Sequence, residues 1–257
     1  MRKIAVIPAR YGSSRFPGKP LALLRGKPLI EHVYNRVREC TSLDGVLVAT
    51  DDTRIMNTVL NFGGDVVMTS DTHRTGSDRL GEVAENIDAD IMVNIQGDEP
   101  MIEPRIVEAV LGPMISENRP DIVTAAVDLI SEEEYLNPNV VKVVVDGEGR
   151  ALYFSRSPIP HGWKGDGKGL RHLGIYAYRR ESLLRLVSLP QSALEISEGL
   201  EQLRALESGM SIVVVEVRGF SGIGVDSPDD LAKAEEMMLS MEEDQDLGPP
   251  RGDRGTL

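Results

Sequence analysis

The sequence predicts an α/β fold: a doubly wound, mostly parallel sheet with a smaller antiparallel hairpin subdomain. Three observations carry this reading. Apolar runs of strand length alternate with segments of helical periodicity over the first half of the chain. Those runs are almost continuously apolar, as strands covered on both faces must be. After residue 140 the pattern changes to two apolar runs separated by a short glycine-containing turn. At 257 residues the chain is long enough for one large domain. A single domain is therefore expected over 1–240, with about 130–190 as the subdomain and 241–257 as a polar, disordered tail.

Taken in order, residues 3–8 (KIAVIP) form the first expected strand. Residues 28–39 carry Leu29, Ile30, Val33 and Val37 at helical spacing. Residues 45–50 (GVLVAT) read as a strand, 53–60 as a helix and 65–69 as a strand. Leu80, Val83, Ala84 and Ile87 fall on one face of a helix over 78–87. A strand over 90–95, a helix over 104–116 and a strand over 121–129 complete the alternation. Residues 140–145 and 151–154 flank Asp146-Gly147-Glu148-Gly149 as a hairpin. Residues 162–169 look like a mobile connection. A strand is expected over 172–178, helices over 181–188 and 192–208, and a strand over 211–217. The last helix, 228–239, has Ser227 in position to cap it. No internal repeat is present.

Hydrophobic residues make up 41% of the chain but aromatics only 4%, so an aliphatic core is expected. The formal net charge of −13 repels phosphate backbones, which argues against a nucleic-acid partner. A small anionic substrate then needs locally concentrated positive charge. The single cysteine, Cys40, excludes an intrachain disulfide and reads as inert packing. No apolar run approaches the roughly 20 residues of a membrane span, and no N-terminal apolar h-region is present. The expectation is a cytoplasmic protein with no membrane partner.

In parallel sheets, ligands sit beyond the carboxyl ends of the strands, so the loops after strands are the candidate sites. The first is Pro8 to Pro20 (PARYGSSRFPGKP). Arg10, Arg15 and Lys19 bring three cations into ten residues of an acidic protein, and glycines and serines accompany them. Such a loop suits a polyphosphate; its alternative reading is an ordinary solvated loop. It is neither a Walker A loop, since Pro20 follows Lys19, nor a G-x-G-x-x-G loop. The second is Gln96-Gly97-Asp98-Glu99-Pro100, where Asp98 offers a hard carboxylate suited to Mg²⁺; the alternative is a capped turn. The third is the glycine-rich turn 222–228, where Asp226 serves either as a second metal carboxylate or as an acid at a helix N-terminus. His32, His73, His161 and His172 have bland structural readings on pattern alone.

These segments together resemble the 3-deoxy-manno-octulosonate cytidylyltransferase family, whose fold is of the nucleotide-diphospho-sugar transferase type. The matching stretches are IPARYGSSRFPGKPL, VATDD, TGSDRL, VNIQGDEPMI, NPNVVKVVVDGEG, ALYFSR, RHLGIYAYR, LEQLR and GIGVDSPDDL, in the family's order, across about residues 3–236. The resemblance implies activation of 3-deoxy-D-manno-octulosonate (Kdo) by CTP, giving CMP-Kdo and pyrophosphate for lipopolysaccharide synthesis. It also implies a homodimer and Mg²⁺, with 130–190 serving dimerisation and the sugar pocket. Pro8, Ala9, Arg10, Ser14, Arg15 and Lys19 would hold CTP. Thr75, Gly76, Ser77, Gln96 and Gly97 would face its base and ribose. Asp98 and Asp226 would bind Mg²⁺, and Arg156, His172, Tyr176, Glu201 and Gln202 would line the sugar-acid pocket. Lys19, Asp98, Asp226 and Arg10 are thus the expected catalytic set. Two departures from the family pattern stand out: a shorter stretch over 160–170, and Ser77-Asp78 in place of Thr-Glu. The competing readings are activation of another acid sugar, a non-catalytic nucleotide-binding protein, and a nicotinamide dehydrogenase.

Overall fold

The computed structural model describes residues 1–12, 16–73, 75–116, 119–165, 169–220 and 222–246. Its strands are β1 (Lys3–Ala9), β2 (Leu23–Leu24), β3 (Lys27–Pro28), β4 (Gly45–Thr50), β5 (Val66–Met68), β6 (Ile91–Asn94), β7 (Ile122–Asp128), β8 (Lys142–Val145), β9 (Ala151–Ser155), β10 (Leu170–Arg179) and β11 (Ile212–Glu216). Its helices are α1 (Leu29–Arg38), α2 (Thr53–Asn61), α3 (Gly76–Asn86), α4 (Pro104–Met114), α5 (Glu132–Leu136), α6 (Arg180–Ser188), α7 (Ala193–Glu198), α8 (Gln202–Glu207) and α9 (Pro228–Asp246).

The main sheet has the order β11-β7-β10-β6-β1-β4-β5, extended by β8 and β9 beside β10. β1 pairs in parallel with β4 and β6, β4 with β5, and β7 with β11. β10 runs antiparallel to both β6 and β7. One reversed strand therefore lies inside an otherwise parallel seven-strand order, and the sequence periodicity gave no sign of it. β8 and β9 form the expected hairpin.

Alternation along β1 sends Ala5, Ile7 and Ala9 to one side of the sheet and Ile4 and Val6 to the other. The first side is covered by α1, α2 and α4 through Ile30, Val33, Ile55, Val59, Ile106 and Val110. The second is covered by α3, α6 and α8 through Leu80, Val83, Leu183 and Leu203. Cys40 is a free, buried member of the first core.

Two expectations change. The helix expected over 192–208 is two helices. Gly199 turns left-handed (φ 63°) and ends α7 before α8 begins. The last helix runs to Asp246, through the first residues of the stretch expected to be disordered. Its sequence there, MEEDQD, includes Met, Glu and Gln, which are good helix formers, with no Pro or Gly until Gly248. Residues 247–257 lie outside the described residues, as do 166–168 of the expected mobile connection. Within that connection, Trp163 packs on Tyr135 at 5.3 Å between ring centroids.

The α7–α8 corner is locked by a buried ion pair. Arg204 donates to Glu195 through two nitrogens at 2.7 and 2.5 Å, and their side chains are only 8% and 3% exposed. Removing one partner strands the other charge away from water. Arg204→Ala is expected to cost about 3–5 kcal/mol in urea denaturation. The double variant Arg204→Met/Glu195→Leu is expected to recover most of that loss.

Candidate active site at the carboxyl edge of the sheet

Because β1, β6 and β11 point the same way, the loops that follow them share one edge of the sheet. The β1 loop is closed by Gly18, whose N–H donates to the Tyr11 carbonyl at 2.9 Å. Gly18 has φ 72°, and a Cβ there would stand 3.0 Å from the Tyr11 ring, so only glycine fits. Arg54 lies over that ring, 3.3 Å from its centroid. Gly18 leads into a single turn of 3₁₀ helix, Lys19–Leu21, which aims Lys19 inward.

Lys19 Nζ then lies 2.7 Å from Asp98 Oδ2 and 3.1 Å from Asp226 Oδ1. Its side chain is 14% exposed. The three residues come from three different loops, 79 and 207 positions apart along the chain from Lys19. Asp226 is fixed by its setting: its N–H donates to Asp230 Oδ2, and Ser227 Oγ accepts from the Asp230 N–H at the start of α9. Asp226 is thus both a helix-start acid and a member of the cluster. Beside it, burial first and then the charge of Asp98 push the Glu99 carboxyl up to about 8.

The acidic pair fits a hard divalent cation. Mg²⁺ takes oxygen ligands and is held by one or two carboxylates together with substrate phosphates. Among the described residues no group of three or more His, Cys, Asp or Glu is placed to hold a metal.

Two cavities share Arg10, Gly76 and Gln96, and the larger is also bordered by Asp226. The smaller, about 110 Å³, is lined by Pro8, Ala9, Arg10, Thr75, Gly76 and Gln96 of the expected set, with Arg79. Arg79 is buried and tied to Asp51 at 2.7 Å and to Thr69. The larger, about 910 Å³, takes in all five residues expected at the sugar: Arg156, His172, Tyr176, Glu201 and Gln202. Arg10, Gly76, Gln96 and Asp226 also face it. Gly97 packs against β1: a Cβ there would meet the Pro8 carbonyl at 3.2 Å. Ser14 and Arg15 lie outside the described residues.

The two sides of the site are joined at the start of α3. Thr75 and Asp78 form a capping box there, and Ser77 is buried. Glu201, at the start of α8, faces Ser77 and Thr75, and burial raises its pKa. On the far side, Arg156 Nε donates to the Glu198 carbonyl and Nη1 to the Pro138 carbonyl. Much of its guanidinium is thus spent on holding the pocket wall. Three residues in or beside the site were missed in the sequence: Arg171, whose Nε is buried without a partner among the described residues; Asn94; and Glu99. A polar residue ending the apolar strand IMVN was the available signal for Asn94.

His172 stands between Phe154 (5.1 Å, edge-on) and Tyr176 (5.3 Å). The Thr124 hydroxyl gives its proton to the Ile175 carbonyl at 2.7 Å, so at 2.9 Å it accepts from His172 Nε2–H. That leaves Nδ1 as the acceptor of a neutral ring. Burial lowers its pKa to about 3.

The fold and the site define a nucleotidyltransferase. The cytidylyltransferase family profile matches residues 4–212. The chain is 50% identical over 241 residues to the 3-deoxy-manno-octulosonate cytidylyltransferase of Syntrophotalea carbinolica, covering 90% of this chain and 96% of that protein. To the protein of the same name from Trichlorobacter lovleyi it is 48% identical, covering 93% and 99%. A solved CMP:2-keto-3-deoxy-manno-octonic acid synthetase, complexed with CTP, superposes with a TM-score of 0.89 at 46% identity, covering 94% of this chain and 100% of that one. The 4-diphosphocytidyl-2C-methyl-D-erythritol synthase of Anaerococcus prevotii shares the fold at a TM-score of 0.62 and 13% identity, covering 93% and 96%. The chain belongs to the 3-deoxy-manno-octulosonate cytidylyltransferase family.

The depressed His172 pKa has a pH signature. Between pH 6.5 and about 3 the unfolded histidine takes a proton that the folded one refuses. Its contribution to stability is therefore whole above pH 6.5 and lost as pH falls through that window. His172→Gln is expected to flatten the fall, by up to about 1.4 kcal/mol per pH unit. Denaturant midpoints of the two proteins between pH 7 and 4 measure the difference.

Proposed function

We propose that this protein transfers the cytidylyl group of CTP to Kdo, giving CMP-Kdo and pyrophosphate. The observation that carries the reading is the convergence of Lys19, Asp98 and Asp226 at the edge of the sheet where a polar cavity of about 910 Å³, bordered by Asp226, opens. The family and the CTP-complexed relative support it. In this reading the C2 hydroxyl of Kdo attacks the α-phosphorus, the bond to the bridging oxygen breaks, and pyrophosphate leaves with the electron pair.

Each residue then has a task. Arg10, Lys19 and, on the resemblance, Ser14 and Arg15 hold the triphosphate, where positioned positive charge meets charge that grows in the transition state. Pro8, Ala9, Thr75, Gly76, Ser77, Gln96 and Gly97 surround the base and ribose. Asp98 and Asp226 hold Mg²⁺, which supplies further positive charge against the phosphate oxygens. Arg156 and Arg171 offer charge to the sugar carboxylate. His172, neutral, gives and takes hydrogen bonds, with Tyr176, Glu201 and Gln202 completing the wall. Holding the hydroxyl and the phosphorus together is itself a large part of the rate gain.

Lipopolysaccharide synthesis in the cytoplasm is the setting this product implies. No helix among the described residues is long and apolar enough to cross a membrane. A homodimer is proposed from the family likeness and from the apolar side chains exposed around the hairpin subdomain: Ile130, Leu136, Leu152 and Ile196. Ile130→Asp with Leu152→Asp is expected to shift the protein to monomer in sedimentation equilibrium.

Pyrophosphate release is expected to require CTP, Kdo and Mg²⁺ together, and to stop on adding EDTA. Asp98→Asn is expected to lower kcat at least about 100-fold at saturating Mg²⁺. Arg156→Gln is expected to raise the KM for Kdo about tenfold with a smaller change in kcat. Near wild-type turnover by Asp98→Asn would remove the metal assignment. Absence of release with Kdo from folded protein would remove the reaction.

A further inference from the structure

Lys142 opens β8, the strand between β9 and β10, and is 0% exposed. Lysine is almost never fully buried unless its charge has partners. Here the partners are backbone carbonyls. Lys142 Nζ donates to Arg156 at 2.6 Å, to Val140 at 2.7 Å and to Asn137 at 2.9 Å. An ammonium group has three N–H donors, so all three are used and none is left for a ligand. Burial first, and then the charge of Arg156, lowers its pKa. A staple for the fold alone needs no charge, because a well-packed apolar side chain often holds such a place equally well. What an ammonium adds is direction, since it draws three carbonyls to one atom.

The three carbonyls belong to one wall. Asn137, Val140 and Arg156 all border the larger cavity, with Asn139 beside them. Lys142 thus joins the loop after α5 to the residue that follows β9. It also holds Arg156 from one side while Glu198 holds it from the other. The Arg156 N–H donates to Glu198 Oε2 at 2.9 Å, and its carbonyl accepts from Lys142. The Arg156 side chain is set by the same frame. Nη1 donates at 3.1 Å to the carbonyl of Pro138, which lies between the two loop residues that Lys142 grips, and Nε donates at 2.9 Å to the Glu198 carbonyl. Releasing the loop and the Arg156 carbonyl together would re-aim the guanidinium at both its ends. We infer that Lys142 is a positioning residue for Arg156, fixing where that guanidinium meets the acceptor's carboxylate without touching the acceptor itself. The inference rests on the cytidylyl-transfer reading, which makes Arg156 a partner of that carboxylate.

The test is a double-mutant cycle read by pyrophosphate release with CTP and Kdo. Lys142→Met keeps the length of the side chain and removes the three donors. It is expected to raise the KM for Kdo at least about fivefold, while kcat and the KM for CTP stay within about twofold. In protein already carrying Arg156→Gln, the same change is expected to move the KM for Kdo by less than about twofold, because the group it positions is gone. Thermal melting checks that each variant folds, and Lys142→Gln takes the place of Lys142→Met if the latter does not. An unchanged KM for Kdo in a folded, active Lys142 variant would overturn the inference. So would a fall in kcat with a matching rise in the KM for CTP, the mark of a merely structural role. Full additivity with Arg156→Gln would overturn it too, since Lys142 would then act on another part of the wall. If neither Lys142 variant folded, the ammonium would belong to the fold and the inference would fall. Wild-type protein that released no pyrophosphate with CTP and Kdo would remove the cytidylyl-transfer reading, and the inference with it, before any variant was compared.

Discussion

The arrangement of the site depends on one ammonium group held between two carboxylates. Lys19, Asp98 and Asp226 come from loops after β1, β6 and β11; β1 and β6 are neighbours, whereas β10 and β7 separate β6 from β11. Their contacts at 2.7 and 3.1 Å tie the start of the chain to its last helix. Opposite charges at this separation, partly screened from water, attract more strongly than surface pairs do. The closing turn at Gly18, the stacking of Arg54 on Tyr11 and the bonding of Asp226 to Asp230 all hold these three side chains in register. In a chain of net charge −13, the two carboxylates are balanced in part by the single ammonium group between them.

The layered fold and the gathering of three loops at one edge of the sheet were legible in the sequence because both follow from local pattern. Apolar runs gave the strands, helical spacing gave α1, α3 and α4, and the rule that ligands meet the carboxyl ends of parallel strands led to residues 8–20, 96–100 and 222–228. What escaped was set by pairing between distant segments. The reversal of β10 is decided by its neighbours β6 and β7, not by its own residues. The break at Gly199 is one left-handed residue within an otherwise helical pattern. Arg171 and Asn94 look like a strand-edge cation and a strand-end amide until the cavity around them is seen. The cation cluster at Arg10 and Lys19 needed only composition, whereas the sugar-side wall needed the family likeness.

The two cavities are mechanically joined through the start of α3. Glu201 reaches from α8 to Ser77 and Thr75, and Ser77 continues through Tyr178 to Asn94. Hydrogen bonds in such a partly buried chain hold one another in place. The α7–α8 corner that presents Glu201 is itself braced by the buried Arg204–Glu195 pair. Stability at that corner therefore bears on the start of α3, which borders both cavities through Gly76.

The reversed strand has an evolutionary consequence. The segment carrying Arg171, His172 and Tyr176 sits in the sheet as a single antiparallel insertion, while the strands that launch Lys19, Asp98 and Asp226 form a parallel frame around it. Because β10 is bonded to β6 on one side and to β7 on the other, a residue inserted within it would shift the pairing on both sides and turn its side chains to the opposite face, so changes of length along a lineage are confined to the connections outside it.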